Sequence, residues 1–497
     1  MTRARRLVGV AVVAALFGFL GLFFALGEAF LSEGRVVAEP APYRVALMPD
    51  GTALRVAMVY DVVHQRFPRH GPAWSEAVVA RSIARVEQTE ARDPAALFEP
   101  ASLEAFDDWG VALDRLGRAD EAISVLRRKK ALVERRWPRL DFPPKAAADA
   151  VEAYIEVVRR AGALTPAEQA WYRTYANLGT VLVHQGLRAL ATGDAEGRGA
   201  VAEGLGFVRQ AVRLNPAAHF GRERWQLVVA RHVRAGLDDP TWFTRFSAIG
   251  WPLDAPPPKL RPTYRALPAA VRDLVEGASH DLGERWTSRE AYIPRVVPEP
   301  EWAEVTGADF EGAPFDEPVL GLLGMWMLGG GANPHSALAL GQIMEAMEQR
   351  PIAYAAYARA LAMKDRFSPD AGTVRLIEAL VRGRMADIAG QIDEDEASLQ
   401  AAVTVALAEG EAFQQAQADF EAARAADGAD VLDPAVQAAF LAGCPPIASK
   451  PGQADTVFIR RGTGAWRLHR LVMWVTLWAA AGAWLAVWVA RRRARLS

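Results

Sequence analysis

The string WGVALDRLGRADEAISVLRR, residues 109–128, carries the pattern that decides the fold. Apolar residues recur at helical spacing before and after Gly117, so the string predicts two helices joined by a short turn. Gly110 and Ala122 are small and would let the helices approach closely, while leucines from both helices would fill the seam. The string therefore predicts an antiparallel helical hairpin.

The same spacing returns between residues 337 and 360. The glycine of the first helix and the small residue of the second are 12 positions apart in both copies, Gly110 to Ala122 and Gly341 to Ala353. A coincidence over that length is not expected, so both segments predict the same hairpin.

These two copies resemble the tetratricopeptide repeat, a two-helix unit of about 34 residues. The match departs at Lys129, where the family usually has a small residue, and at Glu134, where a proline often closes the unit. The resemblance implies a mainly α protein in which degenerate hairpins stack into an α-solenoid, because two hairpins alone would bury too little apolar surface.

A third copy carries an insertion. The first-helix spacing returns around Gly179, but Gly179 and Val208 are 29 positions apart, whereas Gly110 and Leu126 are 16 apart. We expect the 13 extra residues to form a polar, glycine-rich loop around residues 191–197. An insertion at the turn would leave the packed seam of the hairpin intact.

Apolar runs without charges lie near both ends of the chain, and each is long enough for one helix to cross a bilayer. Transmembrane helices are predicted at residues 7–31 and 467–490. Arginines flank both runs on their outer sides, and short basic flanks tend to stay cytoplasmic. The tails 1–6 and 491–497 are therefore predicted to be cytoplasmic.

This pattern predicts a two-pass protein of the cell inner membrane whose large domain is extracytoplasmic. The alternative for the first apolar run is a cleaved signal peptide. The run is longer than the apolar core of an ordinary signal peptide, which favours an uncleaved anchor.

Proline content divides the chain between the two spans. Tetratricopeptide-like helical regions are predicted at residues 33–250 and 334–443, with a Pro-rich irregular linker at 251–333 and a second linker at 444–466. In the first region, the residues around 49–51 predict a β-hairpin, although its second half could equally start a helix.

The net charge of −2 hides an asymmetry between the ends and the middle. The two spans and their flanks hold nine arginines and one glutamate, which leaves 48 basic and 58 acidic residues in the middle, a net charge of −10. An acidic surface disfavours nucleic acid as a partner, because phosphate binding needs a concentrated basic face. Cys444 is the only cysteine, so neither an internal disulfide nor a cysteine metal cluster can form within one chain.

No motif in the sequence supplies reaction chemistry. The glycines at 329–331 lack the Lys-Ser/Thr ending of a phosphate loop, no two histidines have metal-site spacing on a helix, and no serine-hydrolase elbow occurs. His219 lies three residues after Pro216 and His335 directly after Pro334, and both are expected to cap or hydrogen-bond at a helix start. The acidic run 393–396 is expected to favour a helix N-terminus. We therefore expect no enzymatic activity, no metal and no cofactor.

Tetratricopeptide proteins usually bind peptides on the concave face formed by their first helices, so the resemblance implies a partner-binding groove. The implied groove residues are Glu104, Asp107 and Asp114 in the first copy, Arg173, Asn177 and Thr180 in the interrupted copy, and His335, Gln342 and Glu345 in the last. The acids of the first copy would repel a C-terminal carboxylate, which implies a different ligand.

The expected function is a membrane-anchored scaffold that binds protein or peptide partners on the extracytoplasmic side. One alternative is an enzyme with a site in residues 251–335. Another is a membrane-complex subunit recognised through its transmembrane helices. An unchanged phenotype after alanine substitution at His219 and His335 would remove the first alternative, and loss of assembly after replacing the second span with polyleucine would favour the second.

Overall fold

A computed structural model describes residues 45–47, 53–55, 59–137, 164–215, 222–257, 264–266, 290–292, 295–307, 313–314, 316–328, 331–346, 349–392 and 395–443. The chain divides into two compact units, residues 1–39 with 456–497 and residues 40–455, and every described residue lies in the second. The predicted spans, both tails, Cys444 and His219 lie outside the described residues. Within the described ranges, no helix has the combined length and apolarity needed to cross a membrane.

This part of the chain is mainly helical, as predicted, and its described residues form fifteen α-helices. In chain order they are α1 (Val59–Val63), α2 (Pro72–Arg92), α3 (Pro100–Arg115), α4 (Ala119–Arg136), α5 (Pro166–Ala191), α6 (Gly197–Leu214), α7 (Arg222–Asp238), α8 (Trp242–Arg245), α9 (Pro300–Thr306), α10 (Asp316–Leu328), α11 (Pro334–Ala346), α12 (Arg350–Ala362), α13 (Ala371–Ile392), α14 (Glu396–Ala426) and α15 (Pro434–Gly443).

Six strands of two or three residues form three antiparallel pairs within the described ranges. They are β1 (Val45–Leu47) with β2 (Ala53–Arg55), β3 (Tyr264–Ala266) with β4 (Glu290–Tyr292), and β5 (Arg295–Val296) with β6 (Ala313–Pro314). The β1–β2 pair confirms the predicted β-hairpin around residues 49–51, and the helix α1 follows it.

Local sequence explains where several helices begin. Proline occupies the start of α2, α3 and α5, where its missing N–H costs no hydrogen bond. Thr165 and Glu168 form a capping box ahead of α5. Asp395 caps α14 by accepting a hydrogen bond from the Ser398 amide at 3.0 Å, in agreement with the helix start expected at the acidic run.

The two regular hairpins have the predicted glycine contact. In the α3–α4 hairpin, a Cβ built on Gly110 would lie 2.6 Å from Leu126 Cγ. In the α11–α12 hairpin, a Cβ built on Gly341 would lie 2.5 Å from Tyr357 Cδ1. Gly117 has φ +76°, which a turn between the first two helices requires. Each first-helix glycine thus receives the side chain 16 positions later.

The interrupted copy differs from the prediction. We expected a glycine-rich loop around 191–197, but α5 continues twelve residues beyond Gly179, whereas α3 continues five beyond Gly110. Likewise α6 begins eleven residues before Val208, whereas α4 begins seven before Leu126. The inserted residues therefore lengthen both helices, because most of them are good helix formers, and only a short turn remains.

Glycines line the seam of this longer hairpin. A Cβ on Gly179 would lie 2.9 Å from the Gly204 carbonyl oxygen, and a Cβ on Gly186 would lie 2.6 Å from the Gly197 carbonyl oxygen. Gly179 and Gly186 are seven residues apart on α5, and so are Gly197 and Gly204 on α6, so the pairs lie about two helical turns apart. The backbones of α5 and α6 are in direct contact along this seam.

Adding one methyl group to the seam is expected to destabilise the protein. Gly204→Ala should lower the free energy of unfolding by about 2 kcal/mol, because its Cβ would lie 2.8 Å from the Gly179 carbonyl oxygen and would force the helices apart. Gly206→Ala on the same helix is the matched control. Its Cβ meets nothing within 4 Å, so the better helix propensity of alanine should raise stability by about 0.5 kcal/mol. Chemical denaturation of the full chain measures both, and equal behaviour of the two variants would contradict the close contact.

Residues 251–333 were predicted to be an irregular linker, but the structure places two helices there. Trp302 of α9 and Leu322, Leu323 and Trp326 of α10 are buried, and both helices pack against α7. The apolar residues of α10 surround the whole helix, which is typical of a fully buried helix and leaves no periodic stripe to recognise. The two helical regions therefore do not form separate domains, and α9 and α10 are part of the core that connects them.

The helix contacts form a closed circuit. Successive packing runs from α2 through α3, α4, α5, α6 and α7, then through α10, α11 and α12 to α14. The helix α14 packs against α2, and α1 packs against α10 and α12. In an open repeat array each unit contacts only its neighbours, so the contact between α14 and α2 is an additional closing feature.

A group of polar side chains on α14 makes this closure, and we call it the clasp. The clasp bonds are Gln414 Nε2 to the Phe67 carbonyl at 3.1 Å, the Arg69 amide to Gln417 Oε1 at 3.0 Å, and the Gly71 amide to Glu421 Oε2 at 2.7 Å. The bonded backbone groups belong to every second residue of the segment 67–71. Their three partners on α14 are spaced three and four residues apart, so they lie on one face of that helix. The helix α14 thus holds the segment before α2 by its backbone.

Candidate functional site

One face of α5 carries the side chains that the repeat resemblance assigns to a groove. Arg173, Asn177, Thr180 and also His184 lie on this face, because they follow the helical repeat. All four are partly exposed, and each bonds to a side chain of a neighbouring helix. We call this row of polar pairs the α5 ladder.

The first pairs of the α5 ladder join α5 to α3, and Lys129 of α4 bonds to one of their members. Arg173 Nη1 donates to Glu104 Oε1 at 2.8 Å, and Asn177 Nδ2 donates to Asp107 Oδ1 at 2.8 Å. Lys129 Nζ lies 2.6 Å from both carboxylate oxygens of Asp107. The predicted groove residues of the first and the interrupted copy are thereby brought together.

Lys129 occupies the position where the repeat family usually has a small residue. Its side chain is fully buried, and burial lowers its pKa, while the carboxylate of Asp107 acts in the opposite direction. A buried charge is stable only with its partner in place. The departure from the repeat pattern at Lys129 therefore explains why Asp107 is buried rather than exposed in a groove.

The remaining pairs of the α5 ladder bond α5 to α3 on one side and to α7 on the other. His184 Nδ1 donates to Asp114 Oδ2 at 2.8 Å, and Arg188 Nη2 donates to Asp114 Oδ1 at 3.4 Å. Gln226 Nε2 of α7 donates to Thr180 Oγ1 at 3.0 Å. The α5 ladder thus connects three helices, α3, α5 and α7, through partly exposed side chains of α5 whose partners include the buried Asp107 and Gln226.

The α3 side of the ladder is acidic. Burial raises the pKa of Asp108, and the negative charges of Glu104 and Asp107 raise it further, while Arg173 lowers it. An incoming carboxylate would add to this repulsion. The electrostatics therefore favour a ligand that does not present its C-terminus to α3.

The predicted groove residues of the last copy bond elsewhere. Gln342 is buried, and its Nε2 donates to the Pro252 carbonyl at 3.0 Å. Glu345 Oε2 accepts a hydrogen bond from the Tyr357 hydroxyl at 2.7 Å, and its carboxylate also pairs with Arg384. In the described residues, these side chains hold α11 to its neighbours and do not bond to the α5 ladder.

His335 was expected to cap or hydrogen-bond at a helix start; its backbone amide does hydrogen-bond there, but its side chain is buried among rings and does not cap α11. Its ring centroid lies 4.5 Å from that of Phe243, 5.1 Å from Phe367 and 5.5 Å from His232. The cap of α11 is Asn333, whose Oδ1 accepts from the His335 amide at 2.9 Å. A short carboxamide just before the helix reaches its free N–H groups, whereas the imidazole packs into the core.

The two neighbouring histidines are held uncharged at neutral pH. His232 Nδ1 accepts hydrogen bonds from Trp242 Nε1 at 3.0 Å and Trp302 Nε1 at 3.3 Å. Burial lowers the pKa of His335 to about 4, although a hydrogen bond to the Phe367 backbone opposes the shift. Burial also lowers the pKa of His232 well below its ordinary value, and His335 adds to this effect. The pair acts as part of the aromatic core.

Two grooves were not anticipated from the sequence. A groove of about 450 Å³ between α4, α5 and α6 contains charges that pair with one another, including Arg127 with Glu203 at 3.0 Å. A groove of about 440 Å³ between α6, α7 and α9 contains Arg209, Arg231 and Arg234. Arg231 and Arg234 are three residues apart and therefore share one helix face, and this spacing was the sequence signal that could have indicated the second groove.

No group of three or more potential metal-ligating side chains lies together within the described ranges. No family model, curated protein or solved structure matches the chain.

Proposed function

We propose that this chain is a membrane-anchored scaffold of tetratricopeptide-like hairpins that docks protein partners on the extracytoplasmic side of the cell inner membrane. The observation that carries the proposal is the repeated glycine contact. Gly110, Gly179 and Gly341 each lie against the second helix of their own hairpin, at 2.5–2.9 Å from an added Cβ. One packing rule in three hairpins supports descent from a repeat of this kind.

The proposed stack is closed rather than open-ended. The clasp between α14 and the segment before α2 joins helices that are more than 300 residues apart in sequence. Closure restricts how far the hairpins can move against one another. A scaffold needs such a fixed arrangement, because partners lose less freedom when they dock on a preformed surface.

The clasp also supports anchoring at both ends. It brings the beginning of the described helices beside the last ones, since Glu421 contacts both His70 and Gly71 at 2.7 Å. A unit that is tethered to one membrane through both of its ends needs both ends to reach the same surface. This is simpler when its first and last helices lie side by side. The proposed spans at residues 7–31 and 467–490 would satisfy this arrangement.

The α5 ladder is the proposed docking face for a partner. Its α5 side chains are partly exposed and already paired, so they hold their positions before a ligand arrives. The acidic side at α3 disfavours a peptide C-terminus and favours an internal segment of the partner. Protein docking is therefore the function that this face supports best.

Site-specific photocrosslinking in membranes tests the docking face. A benzoylphenylalanine at Val111, which shares the helix face of Glu104 and Asp114, should give adducts with a partner protein. The same group at Glu87, an exposed residue of α2, should give none of these adducts. Identical adducts at both positions, or no protein adduct at Val111, would overturn the proposed docking face.

Reporter fusions test the proposed topology. Fusions of a cytoplasm-active and an export-active reporter to each end should show cytoplasmic activity at both ends, because arginines flank both spans on that side. Export-dependent activity at either end would contradict the two-pass arrangement.

A further inference from the structure

The groove between α6, α7 and α9 is lined by more basic than acidic side chains. Three arginines and one acid line it, and we call it the arginine groove. Its charged residues are Arg209 of α6 and Arg231, Arg234 and Asp238 of α7. The chain between the proposed spans is acidic overall, so a concentration of arginines in one concavity stands out.

The single carboxylate does not balance the arginines. Asp238 Oδ1 accepts from Arg198 Nη2 at 2.8 Å, and its other oxygen lies 3.7 Å from Arg234 Nε. Arg209 is exposed, and no acidic side chain of the described ranges pairs with it. The groove therefore has a surplus of positive charge that faces solvent.

Arg231 has a structural duty that fixes one wall of the groove. Its Nη1 donates to the Thr306 carbonyl at 2.5 Å, at the C-terminal end of α9. A guanidinium at this position complements the free carbonyl groups of a helix end. Arg231 thus attaches α9 to α7, while Arg209 and Arg234 supply the charge available to a ligand.

The remaining wall is apolar. Leu205 and Ala235 contribute to it, together with Val305 of α9, which is 46% exposed. An exposed valine beside arginines fits a ligand that carries both apolar and acidic groups. A small inorganic anion would leave this apolar wall uncovered.

We propose that the arginine groove binds an acidic, amphipathic segment of a partner protein. Carboxylates of the segment would pair with Arg209 and Arg234, because guanidinium groups bind carboxylates with two parallel hydrogen bonds. Apolar side chains of the segment would cover Val305 and Leu205. The inference rests on the proposed docking function and names the chemistry of the partner.

The shape of the groove favours a peptide over an anionic membrane surface. Its volume of about 440 Å³ lies between three helices, which suits side chains that project from a narrow chain. A bilayer surface is flat on this scale and could not enter. The neighbouring groove between α4, α5 and α6 is of similar volume, but Arg127 is already paired with Glu203 there, so it offers no comparable surplus.

Peptide binding to the full chain in detergent tests the inference. The probe is a fluorescein-labelled twelve-residue peptide that alternates glutamate with leucine, and the comparison peptide has glutamine in place of every glutamate. Anisotropy titration should show at least tenfold tighter binding of the acidic peptide, with a loss of affinity at high salt. Equal binding of the two peptides would overturn the proposal.

A charge-reversed variant locates the binding. The double variant Arg209→Glu, Arg234→Glu should weaken binding of the acidic peptide at least tenfold, and Arg231 stays intact because it holds α9. Arg375→Glu, which changes an exposed arginine of α13 outside the groove, is the matched control and should bind as the unaltered chain does. Thermal melting confirms that the variants are folded, and unchanged binding by a folded double variant would refute the site.

Two further outcomes separate this inference from the proposed function. If the Val111 crosslinks persist in the double variant while the acidic peptide does not bind the unaltered chain, docking stands and the arginine groove is refuted. If the acidic peptide binds but Val111 gives no adduct, the groove stands and the α5 ladder is refuted as a docking face. Displacement of the peptide by vesicles of anionic lipid, but not of neutral lipid, would assign the groove to a membrane surface instead.

Discussion

Glu421→Ala is expected to lower the free energy of unfolding by about 3 to 5 kcal/mol, the largest effect of any single substitution proposed for this chain. The carboxylate is buried and accepts hydrogen bonds from the Gly71 amide and His70 at 2.7 Å, and from Gln417 and Gln437 at 3.2 Å. Burial by itself would raise the pKa of Glu421, but the bonds from His70, Gly71 and Gln417 outweigh it and lower the pKa. Removing the carboxylate leaves several buried donors without an acceptor.

Urea denaturation of the full chain in detergent, followed by circular dichroism, measures this loss. Asp419→Ala is the matched control, since Asp419 is an exposed acid on the same helix and should change stability by less than about 0.5 kcal/mol. Hydrogen exchange adds a local reading, because the Gly71 amide should lose protection in the Glu421 variant only. A Glu421→Ala chain as stable as the control variant would show that the clasp does not hold the circuit closed.

Acidification is expected to destabilise the protein through histidines that are buried uncharged. Burial lowers the pKa of His64 and His335 to about 4, from an ordinary value near 6.5, and lowers that of His232 in the same direction. The unfolded chain therefore binds more protons than the folded chain below pH 6.5. The contribution of these uncharged histidines to the free energy of unfolding is fully present above that pH. It is lost as the pH drops towards 4, by about 3 kcal/mol each for His64 and His335.

Unfolding free energies measured between pH 7.5 and pH 4.5 test this dependence. His335→Phe should make the curve less steep by about one proton, since phenylalanine suits the surrounding Phe243 and Phe367 rings but cannot titrate. Phe243→Leu is the control, because it removes packing at every pH and should keep the full slope. An unchanged slope in His335→Phe would show that His335 does not contribute to the acid response.

The local part of the fold was predictable because its cause is local. Gly110 and Gly341 face residues 16 positions later, so a short window of sequence contains both partners. Proline at the start of a helix and Asp395 as a cap act within one turn. Spacing and capping signals of this kind can be recognised from a short stretch of sequence, without knowledge of the rest of the molecule.

The features that escaped prediction depend on distant or non-periodic partners. The residues Gly71 and Glu421 are 350 positions apart, and nothing in either neighbourhood signals the other. Lys129 was recognised as a departure from the repeat, but its pairing with Asp107 depends on how closely α3 and α4 pack. The helix α10 was missed because apolar residues on all sides give no stripe.

The candidate site was predicted in part for the same reason. Helical spacing placed Arg173 and Asn177 on one face of α5, and in the structure they bond there to the α3 residues Glu104 and Asp107. It could not reveal that their hydrogen bonds are used within the protein, or that His335 is enclosed by rings. The arginine groove was not found because Arg209 and Arg234 belong to different helices.

The clasp has a consequence for how the chain is made. A ribosome adds roughly 5 to 20 residues each second, so about 18 to 70 seconds pass between synthesis of Gly71 and of Glu421, which lie 350 positions apart. During that interval the segment before α2 has been made, but the Glu421 carboxylate that accepts from its Gly71 amide has not. A nascent chain would therefore expose this edge throughout most of its translation, and a chaperone that shields it until the last helices emerge would raise the yield of folded protein.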